Sequence, residues 1–324
     1  MKISDIPNMA TNNLEVTQFK WQIILNPNAR EHKSTDIWHT IEQMLQEKNI
    51  QYVLHMADER LKGIETARQL CMDGHRHLMV LGGDGTINEV VNGICESGVA
   101  LNEVYLAVMP VGRGNDWART HNFSTEVVQN LGIFLKGDFM QHDIGVVRSF
   151  RDGEEIAHRY FINIAGFGFD AEVIHDVTHN KPHFLGISVY VLSLIRCLFR
   201  YKSQQVDIYA DDFHFHDKSF LMVAGICQYN GGGMRQVPMA VPDDRKLDVV
   251  VVPNVRSTTV IANVGKIFKG THIHAIKGIR TCRTDRLEVK SDTLLRSEVE
   301  GELLSTGDYR VELVPQALNV LTNL

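Results

Sequence analysis

The stretch Leu81-Gly82-Gly83-Asp84-Gly85-Thr86-Ile87-Asn88-Glu89-Val90-Val91-Asn92-Gly93 follows directly on the apolar run His77-Leu78-Met79-Val80-Leu81. Three glycines around one acid, after a strand-like segment and before a helix-like one, predict a tight turn at the carboxyl end of a sheet. Open α/β folds bind their ligands at such turns. Glycine tolerates positive φ and lets backbone amides come close to a ligand, so the turn can cradle phosphate at the positive end of the following helix. A carboxylate among phosphates only repels them unless it holds Mg2+ or takes a proton from an attacking hydroxyl. Both roles are open to Asp84.

Upstream, the strand Trp21-Gln22-Ile23-Ile24-Leu25 stops at Asn26-Pro27-Asn28, where Asn26 has the chemistry to hydrogen-bond a nucleotide. Ile37, Ile41, Met44 and Leu45 fall on one helical face and predict a helix over 35–48. A strand over 52–56 and a helix over about 59–73 lead back to the glycine turn. Downstream, the strand 104–109 runs into Pro110-Val111-Gly112-Arg113-Gly114-Asn115-Asp116-Trp117-Ala118-Arg119, a second glycine turn. Two such loops from different strands can close on one ligand, and Arg113 or Arg119 can grip phosphoryl oxygens bidentately. With a helix over 125–136 and a strand over 140–145, the alternation implies a parallel sheet with right-handed crossovers.

From Val146 onward strands dominate, at 159–165, 204–210, 219–226 and 247–252 with short ones after Lys277, which predicts an antiparallel β-rich second domain. The expected division is 19–145, 146–307 and a tail 308–324, after a leader over 1–18. Gly166-Phe167-Gly168-Phe169-Asp170-Ala171 fits the dinucleotide fingerprint, but the acid expected about 20 residues on is absent near Tyr190, so the turn reads as interdomain. His175, His179 and His183 have metal-ligand spacing without a carboxylate partner and read as solvated. The apolar segment 187–199, followed by Arg200 and Lys202, reads as a core or pocket helix or as one that touches an anionic bilayer. Glu298, Glu300 and Glu302 alternate, which puts all three on one face of a strand.

The chain has 324 residues, 44% of them hydrophobic, enough for a substantial core, and a net charge of −6. That balance offers nothing to a phosphate backbone, so nucleic acid is not an expected partner. Five cysteines without a CxxC pair fit reduced thiols and a cytoplasmic protein. The polar start lacks a signal-peptide core, and no apolar run reaches the roughly 18 residues that span a bilayer.

These blocks resemble the diacylglycerol kinase catalytic superfamily, which also holds sphingosine and ceramide kinases and bacterial soluble lipid kinases. The extension Asn88-Glu89-Val90-Val91-Asn92-Gly93 is most similar to the bacterial members, whereas NAD kinases share the Gly-Gly-Asp-Gly core. The segment 110–118 resembles Pro-x-Gly-Thr-x-Asn-Asp-x-Ala with Arg113 in place of threonine, and Asn26-Pro27 matches the opening Asn-Pro with Ala29-Arg30 in place of Ser-Gly. Asp243-Asp244-Arg245-Lys246-Leu247 resembles Asp-Asp-Gly-x-Leu, which holds a structural Mg2+ in relatives, with Arg245 in place of glycine. Glu300-Gly301-Glu302 resembles the late Asp-Gly-Glu and puts Glu302 at the catalytic glutamate.

The resemblance implies an NAD-kinase-like α/β nucleotide-binding domain, a β-rich antiparallel second domain that binds lipid, and a tail that returns to the first. It implies ATP at Asn26, Gly82, Gly83, Gly85, Thr86, Gly112, Gly114 and Asn115, with Mg2+ bridging its phosphates, and metal ligation by Asp243, Asp244 and Leu247. Asp84 and Glu302 would be catalytic, one organising the metal and the other drawing the proton. The implied reaction moves the γ-phosphate to a hydroxyl of diacylglycerol or a related lipid, at the inner surface of the membrane through transient contact; a homodimer stays open. The alternatives are an NAD kinase-like enzyme, opposed by the second and late blocks and by the apolar segment, and a non-catalytic nucleotide-binding regulatory protein.

Overall fold

In the computed structural model, which describes residues 11–29, 34–179 and 186–324, the chain divides into two compact units. The first comprises Met1–Ile144, Pro242–Arg245 and Val314–Leu324. Its elements are β1 (Thr11–Asn13), β2 (Lys20–Leu25), α1 (Ser34–Glu47), β3 (Gln51–Met56), α2 (Lys62–Met72), β4 (His77–Gly82), α3 (Asp84–Glu96), β5 (Tyr105–Pro110), α4 (Asp116–Thr120) and α5 (Val127–Lys136). The strands lie parallel in the order β3-β2-β4-β5, and Asn319 and Val320 of the C-terminal strand continue the parallel pairing beside β5.

In β2, β4 and β5 every residue after the first is buried, as strands covered on both faces require. Trp21, Ile23, Leu25, Met79 and Leu81 pack against Ile41 and Leu45 of α1 and Leu131 and Phe134 of α5. Each such side chain contributes about 1.5–3 kcal/mol by leaving water. The predicted helical face over 35–48 is the one that packs here. Helices α2 and α3 approach closely because of glycine: a Cβ on Gly93 would sit 2.2 Å from the carbonyl oxygen of Ile64. The Glu89 carboxylate of α3 accepts the amides of Leu61 at 3.0 Å and Gly63 at 3.1 Å, which starts α2 at Lys62, three residues later than expected.

The second unit comprises Gly145–Val241 and Lys246–Leu313. It takes the latter part of β6 (Asp138–Arg151), then β7 (Glu154–Phe161), β8 (Ile164–Gly168), α6 (Phe169–His179), α7 (Gly186–Arg200), β9 (Gln204–Ala210), β10 (Phe213–Gly225), β11 (Leu247–Pro253), α8 (Ser257–Lys269) and α9 (His272–Ala275). β12 (Arg280–Thr284), β13 (Arg286–Lys290), β14 (Ser297–Val299), β15 (Glu302–Leu304) and the first residues of β16 (Asp308–Leu321) complete it. Its ladders are antiparallel, in the order β15-β14-β8-β10-β9-β13-β16, with β11 and β12 beyond β10.

Three expectations change here. The strand expected over 159–165 breaks between β7 and β8, because the amides of Ile162 and Asn163 both donate to the Glu300 carboxylate, each at 2.7 Å. Gly166 and Gly168 lie inside β8, which pairs antiparallel with β10 and β14, so they form a strand and not an interdomain turn. The acids at 298–302 do not share one strand face. The turn falls at Glu300-Gly301, Val299 pairs with Glu302 and Glu298 with Leu303, so Glu298 and Glu302 point to opposite faces. His175 and His179 stack at 4.0 Å, and no metal-ligating group among the described residues includes either; His183 and Arg30 lie outside the described residues.

Candidate active site

The ends of β2, β4 and β5 bring both glycine turns together. Asn26 follows β2, its Oδ1 accepting the Asn28 amide at 2.9 Å and its Nδ2 donating to Thr86 Oγ1 at 3.0 Å. Gly82 ends β4 beneath that threonine, and a Cβ there would lie 2.4 Å from Thr86 Cβ. The Val111 amide donates to the Gly82 carbonyl at 2.9 Å. A Cβ on Gly112 would meet Gly83 Cα at 2.5 Å, so the two turns touch backbone to backbone as only glycine permits. At Gly85, by contrast, a Cβ would meet nothing within 4 Å, and the turn opens onto space there.

Asp84 is the first residue of α3, and its Oδ1 accepts the amide of Trp117 in α4 at 3.2 Å. The carboxylate therefore sits between the positive ends of two helices. Burial raises its carboxyl above the usual range, while the amides of Trp117, Asp116 and Asn115 act in the opposite direction. Gly114 leaves room for it, since a Cβ there would lie 3.0 Å from Asp84 Oδ2. Asn115 adopts a left-handed conformation at φ 49° before α4, and its buried Oδ1 has no partner among the described residues, an acceptor awaiting a donor. Arg119 pairs with Asp116 at 3.6 Å, and Arg113 is exposed.

A cavity of about 400 Å³ is lined by Asn26, Gly83, Gly85, Thr86 and Gly112, together with Asp58, Arg60 and Glu89. Asp58 and Arg60 escaped the sequence reading because Asp58 follows the end of β3 without a glycine turn and Arg60 fell within the helix expected over about 59–73. The groups that line it fit a nucleotide: glycine amides and a helix N-terminus for phosphate, Asn26 for hydrogen bonds, and the Arg60 cation; Gly82, Gly114 and Asn115 are not among the residues that line it.

A second cluster belongs to the same unit. Asp143 is fully buried, its Oδ2 accepting the Arg245 amide at 2.8 Å and its Oδ1 the Gln316 amide, both from left-handed residues at φ 63° and 44°. Burial and then the neighbouring charges of Asp244 and Asp243 push its carboxyl up to about 6. Asp243 is likewise raised, by burial first and by Asp244 next. Three mutually repelling oxygen donors suit a hard divalent cation. The sequence offers Asp243 and Asp244 as ligands but not Asp143, although the Asp-x-Gly that Asp143 opens matches the family pattern. Arg245, whose charge stands where glycine was expected, turns its guanidinium to Gln316 Oε1. Leu247, the third expected ligand, opens β11 of the second unit.

In the second unit Glu302 is half-buried on β15, while Glu300 is committed to the amides of Ile162 and Asn163. Glu298 is buried and its Oε2 accepts the Gly301 amide at 2.7 Å. Burial, then the charge of Asp170, push its carboxyl up to about 8. Burial also pushes Asp170 up to about 6, against the Gln236 amide that donates to it at 2.9 Å.

Comparison with known proteins covers both units. The diacylglycerol kinase catalytic domain matches residues 20–147, and the YegS C-terminal NAD kinase beta sandwich-like domain matches residues 163–322. YtlR of Bacillus subtilis, a protein named as a lipid kinase, is 25% identical over 314 residues, 93% of this chain and 99% of its own length. A diacylglycerol kinase of Staphylococcus saprophyticus is 28% identical over 242 residues, 74% of this chain and 73% of its own. The crystal structure of a Bacillus anthracis protein titled as a diacylglycerol kinase superposes with a TM-score of 0.76 at 21% identity, over 98% of each chain. Yeast NADH kinase in complex with NADH gives a TM-score of 0.51 at 12% identity, over 97% of this chain and 86% of its own. These two likenesses carry the fold, and the domain matches carry the family. With both domains matched in order along its length, the chain belongs to the diacylglycerol kinase catalytic superfamily.

Proposed function

We propose that the protein is an ATP-dependent lipid kinase that transfers the γ-phosphate to a hydroxyl of diacylglycerol or a related lipid. The observation that carries this reading is the convergence of the two glycine turns on Asp84, a carboxylate set between two helix N-termini beside a cavity that fits phosphates. ATP lies over Asn26, Gly82, Gly83, Gly85, Thr86, Gly112, Gly114 and Asn115. Mg2+, when bound, neutralises the phosphates. Asp143, Asp243 and Asp244, with the carbonyl of Leu247, hold a structural cation.

In the transfer the lipid oxygen forms a bond to the γ-phosphorus, the bond to the ADP oxygen breaks, and the hydroxyl proton passes to a carboxylate. Asp84 and Glu302 divide the work, one positioning the charge-neutralising ion and the other taking the proton. Most of the rate comes from alignment and charge stabilisation, since phosphoryl transfer asks for little covalent help. The test is transfer of labelled γ-phosphate from ATP to an extracted lipid mixture, with NAD as a parallel acceptor. Label in lipid, dependent on Asp84, supports the reading; label in NAD alone, or none in either, overturns it.

A further inference from the structure

Two helices of the second unit turn apolar faces outward, where a domain helix is ordinarily polar. On α8 the buried residue is Asn263, satisfied by donating to the Thr259 carbonyl at 2.8 Å, while Ile261, Val264 and Phe268 are 51%, 42% and 47% exposed. On α7 Ser193, Cys197 and Leu198 are buried, and Leu192, Ile195 and Phe199 are 54%, 49% and 67% exposed. Both exposed triplets have i, i+3, i+7 spacing, so each makes one stripe. The helices are neighbours, since the Ser257 hydroxyl that opens α8 donates to the Leu198 carbonyl of α7. Single exposed apolar residues are ordinary; two stripes on neighbouring helices are not.

Charge decides what covers them. The chain has 39 acidic residues, yet no Asp or Glu occurs from Val177 to Val206 or from Val249 to Thr284. Arg200 and Lys202 at the end of α7, and Lys266 and Lys269 at the end of α8, are exposed, and none pairs with an acid among the described residues. A second copy meeting this face about a two-fold axis would set like charges against each other. An anionic bilayer offers hydrocarbon to the stripes and negative headgroups to the cations.

We propose that α7 and α8 form one docking face for an anionic membrane surface, with Leu192, Ile195, Phe199, Ile261, Val264 and Phe268 entering the interface. Its purpose rests on the lipid-acceptor reading, but the binding itself does not.

The test is co-sedimentation of the full chain, without nucleotide, with phosphatidylcholine vesicles that contain or lack phosphatidylglycerol. Transfer to a short-chain, water-soluble diacylglycerol is measured alongside. Wild type should bind the anionic vesicles about tenfold more tightly, and added salt should erase the difference. Phe199→Ser with Phe268→Ser should abolish binding to both vesicles, and Leu192→Ser with Ile261→Ser repeats the test should the first pair misfold. Lys266→Glu with Lys269→Glu should remove the anionic preference. All these variants should transfer to the short-chain acceptor within about twofold of wild type. No vesicle binding with intact short-chain transfer overturns the docking face and leaves the kinase reading standing. Vesicle binding without transfer to any lipid does the reverse. Serine variants that dissociate a dimer and leave vesicle binding unchanged overturn the docking face and assign it to self-association.

Discussion

Asp84 in the first unit is half-buried and Glu298 in the second is buried, and burial is the largest influence on each. Around Asp84 the remaining influences are backbone amides, those of Trp117, Asp116, Asp84 itself and Asn115, which favour the anion. Around Glu298 the next influence is the charge of Asp170, which favours the proton and helps carry its carboxyl to about 8. Burial alone therefore does not say what an acid is for. Donors without a second acid favour the charge; a second acid beside the first holds one proton on the pair.

The largest expected effect tests the first half of that contrast. Asp84→Asn keeps the volume and the acceptor facing the Trp117 amide but removes the charge, so the fold should hold while transfer falls by about 10²-fold or more. Thermal melting and labelled-phosphate assay check it together. Activity within threefold of wild type would show that the amides around Asp84 serve only the turn.

Next comes a contrast within the acidic hairpin. Glu302→Gln should lower kcat by about tenfold or more with little change in the KM for ATP, as for an interaction made in the transition state. Glu300→Ala should instead cost about 1–3 kcal/mol of stability, because it leaves the amides of Ile162 and Asn163 without an acceptor. Urea midpoints and steady-state kinetics separate the two. If Glu300→Ala proved stable and inactive while Glu302→Gln stayed active, the catalytic position would be Glu300.

A smaller effect tests the proton held on Glu298. The folded carboxyl of Glu298, at about 8, stands above its ordinary value of 4.5, so between these values the folded state holds a proton that the unfolded chain releases. Stability then falls as pH rises through that window. Glu298→Gln does not titrate and resembles the protonated form, so it should gain on wild type by on the order of 2 kcal/mol between pH 5 and pH 8. Parallel loss of stability in both proteins would remove the pair from the account.

The same contrast explains what the sequence could reveal. The parallel sheet was legible because β2, β4 and β5 are buried on both faces and read as apolar runs, and both glycine turns were legible because backbone contact at Gly83 and Gly112 admits no side chain. Asp143 was not singled out as a ligand, because its partners come from residues 245 and 316, far along the chain. The break between β7 and β8 and the opposite facing of Glu298 and Glu302 were hidden for the same reason: each depends on where the 300–301 turn falls against another strand. The outward stripe of α8 carries a helical period that marks a face without saying whether protein or lipid meets it.

Asp143 combines both treatments, two amides and two neighbouring acids, and Arg245 is the residue through which the balance can be shifted. At φ 63° Arg245 holds a conformation that glycine adopts without strain. Arg245→Gly relieves that strain but also loosens the unfolded chain and loses the contact to Gln316, so its stability should stay within about 0.5 kcal/mol of wild type. Removing a half-screened positive charge near three carboxylates should tighten Mg2+ binding by about threefold. Arg245→Ala separates the causes: it should show the same gain for Mg2+ but lose about 1 kcal/mol, because the strain remains. Melting temperature against Mg2+ concentration reads both quantities in one titration. Weaker Mg2+ response in both variants would mean that the guanidinium, through Gln316, holds the acidic turn in place, and that the charge standing where glycine was expected supports the site instead of opposing it.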